Sequence, residues 1–436
     1  EDKLGLHRFK ADEAYRIGKG MGPVAAYLSI PEIIRVAKMC GADAIHPGYG
    51  LLSENPDFVD ACEEAGIKFI GPKAETMRKL GDKASARRVA MEAGVPVVPA
   101  TDVLPDDMNK VRQMAEEVGY PFMLKASWGG GGRGMRPIMD ASELEEKVLE
   151  GRREAEAAFG NGEGYLERLV ERARHVEVQI LGDSFGEIYH LYERDCSVQR
   201  RNQKVVERAP APYLTEEQRS EICSLGRKIC AHVGYECAGT VEFLMDMDTE
   251  EFFFIEVNPR VQVEHTVTEE VTGIDIVRAQ IKIAEGKTLA RSTGANSQAD
   301  IKLNGHALQT RITTEDPQNN FIPDYGRISA YRSATGLGIR LDGGTAYSGA
   351  VITRYYDSLL VKITAKASSP ENAIARMDRA LREFRIRGVS TNIAFVINLL
   401  KHPTFLDNSY TTKFIDNTDE LFDFKPRRDR ATKILN

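Results

Sequence analysis

Polar and apolar residues alternate through positions 255–264, and the polar residues form an unusual set. The odd positions are aliphatic except for Pro259. The even positions carry Glu256, Asn258, Arg260, Gln262 and Glu264. Because side chains alternate faces along an extended strand, the pattern predicts one apolar face and one face of acid, amide, base, amide and acid. An ordinary solvated strand face rarely carries so specific a set.

The preceding segment, 238–246, is predicted to be the partner strand, joined to it by a polar turn. If Asp246 pairs with Phe252, the register places Glu242 opposite Glu256. Directly opposed Cβ atoms lie about 4.5–5.5 Å apart, and like charges there destabilise a hairpin. The pairing therefore requires something that offsets the repulsion.

A divalent cation would offset it, because Mg²⁺ typically takes one or two carboxylates together with nucleotide phosphates. Glu242 and Glu256 would supply the carboxylates, and Asn258 on the same face would add an amide oxygen. Two glutamates on a solvated hairpin face are the alternative interpretation of the hairpin alone.

Length and composition limit the class of protein. The 436 residues are too many for one core and predict two or three domains. A net charge of −7 argues against nucleic-acid binding. No apolar run approaches the ~18 residues of a membrane span, and no signal peptide is visible. The six cysteines form no CxxC pair, which favours reduced thiols in a cytosol-like compartment and argues against a zinc site.

The first 76 residues alternate helical patterns with short apolar runs that end in Gly or Pro, as in a parallel α/β unit. Loops after such strands collect ligands, so Tyr49 and Gly50 are candidates, with a plain turn as the alternative. The first residues resemble the end of an α/β unit, so we expect that the opening βαβ of this unit is absent from the sequence.

Five glycines in the six positions 129–134 follow a short strand that ends near Lys125. Such a loop lets backbone N–H groups wrap phosphate oxygens, although the spacing is neither a P-loop nor a dinucleotide fingerprint. A flexible linker is the alternative. A helix is predicted over 82–94 with Asp82 as its N-cap, and Lys83 lies in its first turn, where a cation opposes the helix dipole. It is therefore either a phosphate ligand or a solvated lysine.

The segment 193–207 is dense in charge yet framed by apolar strands, which favours an anion site. Cys196 within it lacks an accompanying His–Asp set, so we interpret it as a packed thiol. Two further strands are predicted over 165–170 and 174–180, and the pattern leaves open whether His175 binds a ligand or is structural.

The last third of the chain begins with a polar linker over 286–300. A final domain of strands and one helix (370–384) is expected from about residue 303. The locally basic tail over 425–433 is a solvated tail or the start of a further domain.

Several motifs together carry a resemblance to a known family. They are KASWGGGGRGMR from Lys125, ERDCSVQRRNQKVVE from Glu193, GTVEFL from Gly239 and FIEVNPRVQVEHTVTE from Phe254. In these motifs the chain resembles, nearly end to end, the biotin carboxylases of the ATP-grasp superfamily. Finer features are similar to the biotin carboxylase part of pyruvate carboxylases: HRFKADEAY, QVEHTVTEE with Thr266, RITTEDP, GVSTNIAF and FDFKPRRDRATKILN.

The resemblance implies an α/β protein with an ATP-grasp fold. It implies an incomplete Rossmann-like (pre-ATP-grasp) subdomain over 1–76 and an ATP-grasp domain over 81–292, with a mobile lid over about 98–170. A C-terminal α+β subdomain would follow over 303–415, and the start of a connecting, allosteric region over 416–436.

The resemblance also implies residue roles. ATP would be bound by Lys83, Lys125, Gly131, Gly132, Glu167 through Val170, His175, Gln199 and Asn202. Mg²⁺ or Mn²⁺ would be bound by Glu242, Glu256 and Asn258, and bicarbonate by Lys204, Arg260, Gln262 and Val263. Glu264 would be the base, Arg311 would hold the ureido oxygen of biotin, and Tyr49, Gly50 and Gln262 would flank the biotin ring. Asn202 departs from the family, since many members have a histidine there that touches the nucleotide.

The implied activity is ATP-dependent carboxylation of biotin by bicarbonate through carboxyphosphate. No biotin-attachment motif is visible, so biotin would come from a carrier domain. The other implied partners are a carboxyltransferase domain of the same polypeptide, a second copy in a biotin carboxylase dimer within a tetramer, and acetyl-CoA as activator near the basic tail, Arg385 and Arg387. The compartment would be the cytoplasm, or the mitochondrial matrix in a eukaryote. The alternatives are the corresponding component of an acetyl-CoA, propionyl-CoA or urea carboxylase, and an inactive nucleotide-binding module with a regulatory role.

Overall fold

The computed structural model describes residues 2–126, 136–344 and 346–424 of the chain. Its helices are α1 Leu6–Lys10, α2 Pro23–Tyr27, α3 Ile30–Cys40, α4 Pro56–Glu64, α5 Ala74–Gly81, α6 Lys83–Glu92, α7 Met108–Val118, α8 Leu144–Phe159, α9 Glu216–His232, α10 His265–Thr272, α11 Ile276–Ala284, α12 Leu289–Thr293, α13 Pro370–Glu383, α14 Ile393–Lys401 and α15 Pro403–Leu406. The glycine loop with Gly131 and Gly132, and the basic tail from residue 425, lie outside the described residues.

The strands are β1 Ala44–Ile45, β2 Lys68–Phe69, β3 Phe122–Ala126, β4 Arg136–Ile138, β5 Gly164–Arg168, β6 Ala173–Gly182, β7 Ile188–Arg200, β8 Gln203–Ala209, β9 Cys237–Asp246, β10 Phe252–Asn258, β11 His306–Thr313, β12 Glu315–Asp316, β13 Ile322–Pro323, β14 Gly326–Arg327, β15 Ala330–Arg332, β16 Ile339–Gly343, β17 Val351–Ile352, β18 Leu359–Ala367 and β19 Arg385–Arg387.

An eight-stranded antiparallel sheet organises the molecule, in the order β10-β9-β6-β7-β8-β11-β18-β16. Its strands come from both the middle and the last third of the chain, and the pairing of β8 with β11 joins the two groups. Helix α9 packs on β6 and β7, whereas α10 packs on β7, β8, β11 and β18. Side chains on these strands are therefore enclosed between layers, and a polar face of the sheet is not automatically a wet one.

The N-terminal part is a small parallel unit, as the sequence predicted. Strands β1 and β2 pair in parallel. Leu52, Phe58, Val59, Phe69 and Met77 form its core. The loop after β1 carries Tyr49 and Gly50.

Side-chain caps mark the starts of two helices. The Asp82 side chain accepts a hydrogen bond from Ser85 N at 2.7 Å and so caps α6. Thr215 and Gln218 bond each other's backbone N–H groups in a capping box that begins α9. Each device satisfies backbone N–H groups that have no partner within the helix.

Two expectations about the last third of the chain are wrong. The predicted linker over 286–300 contains helix α12, which is anchored because the buried Leu289 packs in a hydrophobic cluster. The final domain contains α14 and α15 besides the predicted helix, now α13. Among the described residues, no helix combines the length and apolar character that crossing a membrane requires.

Candidate active site

The hairpin of β9 and β10 brings Glu242 opposite Glu256, as predicted, but the pairing near the turn differs from the predicted register. Phe252 pairs with Met245 rather than with Asp246. A one-residue bulge between Phe254 and Glu256 then shifts the pairing and restores the Glu242–Glu256 match. A bulge leaves one residue unpaired and re-aims those that follow it, so the predicted pair forms although the predicted register at the turn was wrong.

The prediction that the extended strand continues to Glu264 is also wrong beyond Asn258. Strand β10 ends there, and residues 259–264 form a loop that leads into α10. Pro259 lacks a backbone N–H and cannot continue a sheet ladder. The loop lets Gln262 and Glu264 turn into the protein, where their exposed fractions are 3% and 2%.

The oxygen donors of the hairpin fit a hard divalent cation. Burial, and then the Glu242 charge, raise the pKa of Glu256. Asn258 is buried beside them, and its Oδ1 accepts a hydrogen bond from Arg260 Nη2 at 3.1 Å. Two carboxylates and an amide oxygen on one face form a donor set that Mg²⁺ or Mn²⁺ accepts.

Lys204 of β8 is the centre of the site. Its Nζ donates hydrogen bonds to Glu177 at 2.5 Å, to Glu242 at 2.8 Å and to Glu264 at 2.6 Å. Burial alone would lower the pKa of Lys204, but the carboxylates outweigh burial and raise it well above its usual range. The ammonium therefore stays charged and holds three glutamates from three different elements.

Glu264 lies between two cations. Its second oxygen accepts a hydrogen bond from Arg311 Nη2 at 3.0 Å. Burial would raise the pKa of Glu264, whereas Lys204 and then Arg311 lower it, and the result is a lowered pKa. A buried glutamate that is ionised at neutral pH can accept a proton from a bound anion.

Arg311 is clamped by a second carboxylate that the sequence prediction did not include. Its Nε donates to Glu207 Oε1 at 2.7 Å, and its Nη2 lies at the same distance from that oxygen. These bonds occupy the Nε and Nη2 edge, and the described residues supply no hydrogen-bond partner for Nη1.

Arg194 of β7 is another residue that the prediction missed. It is fully buried, and it donates to Glu177 at 2.6 Å and to Gln262 Oε1 at 2.9 Å. The Gln262 amide in turn donates to Glu242 at 3.0 Å. Arg194 thus fixes both the Glu177 carboxylate and the orientation of the Gln262 amide.

Side chains from the other subdomains border this centre. Arg260 pairs with Glu54 of the N-terminal loop at 2.7 Å. Tyr49, on the same loop, has a raised pKa because of partial burial and the charge of Asp357, and the nearby Arg311 opposes the shift. Gly50 is exposed beside Tyr49.

A lysine of the C-terminal strands binds the Val263 carbonyl. The carbonyl accepts a hydrogen bond from Lys362 Nζ at 2.7 Å. Lys362 lies on β18, directly opposite Arg311 in the sheet. The C-terminal strands therefore fix the backbone just before Glu264.

Several residues predicted to bind ATP lie next to Glu242 and Glu256. His175 Nε2 lies 3.2 Å from Glu242 Oε2, and Gln199 Nε2 lies 2.9 Å from His175 Nδ1. Burial opposes protonation of His175, but Glu242 and Glu177 outweigh it and raise its pKa to about 9. Lys83, which is mostly exposed, lies 3.7 Å from Glu256.

The other described members of that set lie on β3, on and just after β5, and at one turn. Lys125 of β3 pairs with Glu167 of β5, and Val170 follows β5. Asn202 sits in the turn between β7 and β8 with a φ of +63°, a conformation that asparagine tolerates better than most residues. Cys196 is fully buried, as a packed thiol should be.

Three of the missed residues had a weak signal in the sequence. Glu177 lies on the strand whose alternation was recognised, and Arg194 and Glu207 lie in the charge-dense segment. All ten residues of β6 are buried, so its polar face points into the site and not to solvent. Glu54 and Lys362 carried no signal in their local sequence.

Comparison with known proteins agrees with this geometry. Models of the biotin carboxylase N-terminal domain, the carbamoyl-phosphate synthase L chain ATP-binding domain and the biotin carboxylase C-terminal domain match residues 1–77, 82–292 and 309–417. Pyruvate carboxylase 1 of Caenorhabditis elegans is 55% identical over 100% of this chain and 37% of that protein, so the chain spans about a third of this relative.

Solved structures give the same result. A variant of Rhizobium etli pyruvate carboxylase with the allosteric activator acetyl coenzyme A is 66% identical, with a TM-score of 0.89 over 100% of this chain and 39% of that one. The biotin carboxylase domain dimer of Hydrogenobacter thermophilus 2-oxoglutarate carboxylase, in complex with MgADP, ADP and bicarbonate, is 44% identical, with a TM-score of 0.88 over 98% of this chain and 92% of that one. This chain, with its ATP-grasp fold and its glutamates gathered around Lys204, belongs to the biotin carboxylase family.

Proposed function

We propose that the chain performs the biotin carboxylase half-reaction of a pyruvate carboxylase: ATP-dependent carboxylation of biotin by bicarbonate. The observation that carries the proposal is the position of Glu264, an ionised carboxylate bonded to Lys204 at 2.6 Å and to Arg311 at 3.0 Å. One side of this base would receive the bicarbonate anion, and the other would receive biotin.

ATP and the metal ion would bind on the hairpin side. Glu242, Glu256 and Asn258 would hold Mg²⁺ or Mn²⁺, which would neutralise negative charge that develops during phosphoryl transfer. The nucleotide would be positioned by Lys83, Lys125, Gly131, Gly132, Glu167, Val170, His175, Gln199 and Asn202. The glycine loop would sit on a lid over about 98–170 that excludes water from labile intermediates.

Bicarbonate would bind between Lys204, Arg260, Gln262 and the backbone of Val263. Glu264 would accept its proton, and the resulting oxyanion would attack the γ-phosphorus of ATP. The bond to ADP breaks, and carboxyphosphate forms and decomposes to CO₂ and phosphate. The released phosphate would take the proton of biotin N1, and N1 would then bond to the carbon of CO₂. Arg311 would hold the ureido oxygen of biotin and stabilise the negative charge that develops there, with Tyr49, Gly50 and Gln262 beside the ring.

The larger assembly is part of the proposal. Family resemblance and the pyruvate carboxylase relatives support a polypeptide that adds a biotin carrier domain and a carboxyltransferase domain, with pyruvate as acceptor. They also support dimers through biotin carboxylase domains, acetyl-CoA as activator, and a cytoplasmic or mitochondrial-matrix location. The proposed subdomains are 1–76, 81–292, 303–415 and 416–436.

Bicarbonate-dependent ATP cleavage with Mg²⁺, with and without free biotin, tests the half-reaction. We expect cleavage that free biotin stimulates, and about a 100- to 1000-fold loss of both rates in Glu264→Gln, because the amide cannot take the proton. The matched control is Glu193→Gln, in which a buried glutamate paired with Arg219 at 2.9 Å is changed outside the site. Its rates should stay within about twofold of wild type.

Two outcomes would contradict the proposal. Wild-type protein that binds ATP without cleaving it would support the inactive nucleotide-binding module. Biotin-stimulated cleavage that survives in Glu264→Gln would remove Glu264 as the base. The acceptor is tested separately in the full-length polypeptide, where oxaloacetate should form from pyruvate and no carboxylated product should form from acetyl-CoA, propionyl-CoA or urea.

A further inference from the structure

A row of buried polar residues runs from the C-terminal strands to Arg311. Thr364, Gln309 and Glu207 lie side by side across β18, β11 and β8, as direct cross-strand neighbours. Thr266 of α10 lies over this row and contacts both Gln309 and Thr364. The side chains of Thr364, Thr266, Gln309 and Glu207 are all fully buried. The row ends at Arg311, two residues after Gln309 on the same strand.

The hydrogen bonds in this row have only one consistent direction. Gln309 Nε2 donates to Glu207 Oε2 at 3.0 Å, so the amide oxygen of Gln309 faces the Thr266 hydroxyl and accepts from it. The single proton of Thr266 is then used, and Thr364 must donate to Thr266 Oγ1, 2.9 Å away. Glu207 therefore determines which end of the Gln309 amide faces it, because a carboxylate only accepts, and the Thr266 hydroxyl holds the other end of the amide.

The direction matters because of what Glu207 does. A flipped Gln309 amide would set its oxygen against the Glu207 carboxylate and leave two acceptors facing each other in a buried place, which is costly. With the amide as observed, Glu207 Oε2 is fixed and Oε1 is left to bind Arg311 Nε at 2.7 Å.

We propose that Thr266 and Gln309 are positioning residues for Arg311. They hold Glu207 in the orientation that binds the Nε and Nη2 edge of the guanidinium and presents its Nη1 edge to the ureido oxygen of biotin. The inference rests on the proposed function of Arg311. It assigns no contact between Thr266 or Gln309 and any substrate.

This arrangement separates the biotin side of the site from the bicarbonate side. Glu264 binds Lys204 through Oε1 at 2.6 Å and Arg311 through its other oxygen, Oε2, so a shift of Arg311 should leave the bond to Lys204 in place. Loss of the Thr266 hydroxyl should therefore weaken the use of biotin while bicarbonate-dependent ATP cleavage without biotin continues.

The test measures the KM and kcat for free biotin, together with biotin-independent ATP cleavage, in Thr266→Val, Thr266→Ser and Gln309→Leu. We expect Thr266→Val and Gln309→Leu to raise the biotin KM about tenfold, the effect of losing one buried hydrogen bond, with biotin-independent cleavage within about twofold of wild type. Thr266→Ser keeps the hydroxyl and should restore a KM close to that of wild type. The double variant should lose little more than either single variant, because both break the same row.

Thr310→Val is the matched control. Thr310 is buried on the same strand, and its hydroxyl has no hydrogen-bond partner in the described part of the chain. Its removal should leave the biotin KM unchanged. An equal rise in Thr310→Val, or parallel losses with and without biotin in Thr266→Val, would overturn the proposal and indicate a role in packing only.

Crystal structures of Thr266→Val and Thr310→Val provide a readout that does not depend on activity. The Arg311 guanidinium should move away from Glu207 in the first variant and stay in place in the second. An unmoved Arg311 in Thr266→Val would refute the positioning role. A wild-type protein without bicarbonate-dependent cleavage would instead refute the proposed function, and the crystal structures would still decide the question of position.

Discussion

Two buried polar networks include residues of β7 and β8 in the same sheet, and they differ in how their charged groups are paired. In the Lys204 cluster, the Glu177, Glu242 and Glu264 carboxylates share one ammonium. In the Arg208 network, Arg208 donates to the Tyr410 hydroxyl at 3.0 Å, and that hydroxyl donates to Asp195 Oδ2 at 2.5 Å. The first network places several carboxylates and several cations in direct contact, since Arg194 and Arg311 also bind Glu177 and Glu264, whereas the second places one cation and one anion on either side of a neutral phenol.

The difference separates the proposed reactive site from a network that we interpret as structural. Buried charge is costly unless it is paired. Among the described residues, the ion-pair partner of Glu256 is the mostly exposed Lys83, 3.7 Å away, so this edge of the cluster is where a cation from outside would bind. A closed network with matched donors and acceptors gains nothing from a ligand. The Arg208 network instead ties β8 to the segment around Tyr410, and Arg208 Nη1 also donates to Asn408 Oδ1 at 2.8 Å.

Lys204→Met should have the largest effect, because it removes the ammonium that the three carboxylates share. We expect bicarbonate-dependent ATP cleavage to fall about 100- to 1000-fold and the free energy of unfolding to fall by about 3–5 kcal/mol. Turnover assays and urea titration measure the two effects. Lys228→Met, an exposed helix position, is the control. Activity within tenfold of wild type would show that the cluster is structural, like the Arg208 network.

Glu256→Gln tests whether the carboxylate at this edge of the cluster serves a metal ion. Loss of this carboxylate should raise the Mg²⁺ concentration needed for half-maximal ATP cleavage by at least about tenfold. In EDTA the variant should unfold no more easily than wild type, since the repulsion from Glu242 is gone. Glu251→Gln, at an exposed position in the hairpin turn, should change neither quantity. An unchanged Mg²⁺ requirement would contradict the metal assignment.

Tyr410→Phe should show the opposite profile in the Arg208 network. Without the phenol oxygen, Arg208 and Asp195 each lose a buried partner, which should lower the free energy of unfolding by roughly 1–3 kcal/mol. Turnover at saturating substrate should stay within about twofold of wild type. Tyr325→Phe, at a tyrosine that is 48% exposed, is the control for both measurements. A large loss of turnover with unchanged stability would show that the Arg208 network serves the reaction and is not purely structural.

His306 makes the Arg208 network sensitive to acid. Burial, and then the Arg208 charge, lower the pKa of His306 to about 3. A histidine with a depressed pKa stabilises the fold above its unfolded pKa of about 6.5, and this stability is lost as the pH falls towards the folded value. Wild-type protein should therefore lose about 1.3 kcal/mol more than His306→Gln between pH 7.5 and 5.5.

Urea titrations at the two pH values give this difference. His232→Gln changes a more exposed histidine outside the network and serves as the matched control. If wild type and His306→Gln lost the same stability over this range, His306 would not be neutral in the folded protein.

Local sequence was sufficient for much of the fold. Asp82 and Thr215 mark the starts of α6 and α9, because a capping side chain needs only its own first turn. The pairing of Glu242 with Glu256 was predictable from hairpin geometry. The bulge before Glu256 was not, because a bulge depends on the packing around both strands.

The site was only partly predictable for a similar reason. The residues on 256–264 were found through their types and spacing, and others, such as Arg311, through motif resemblance. Glu207 was missed as the partner of Arg311, and Lys362 as the partner of the Val263 carbonyl. Each of these pairs joins positions that are about a hundred residues apart, and nothing in either local pattern specifies the other.

By itself, the sequence determined the chemistry that is available: three potential metal ligands on a hairpin, a candidate base at Glu264, and a family resemblance that suggests the reaction. The tertiary structure alone decided which charges share which partners. The strand order β6-β7-β8-β11 places Glu177, Arg194, Glu207 and Gln309 beside residues from other parts of the chain. A hydrogen bond is set by distances of a few ångströms in space, whereas a sequence pattern records only separation along the chain.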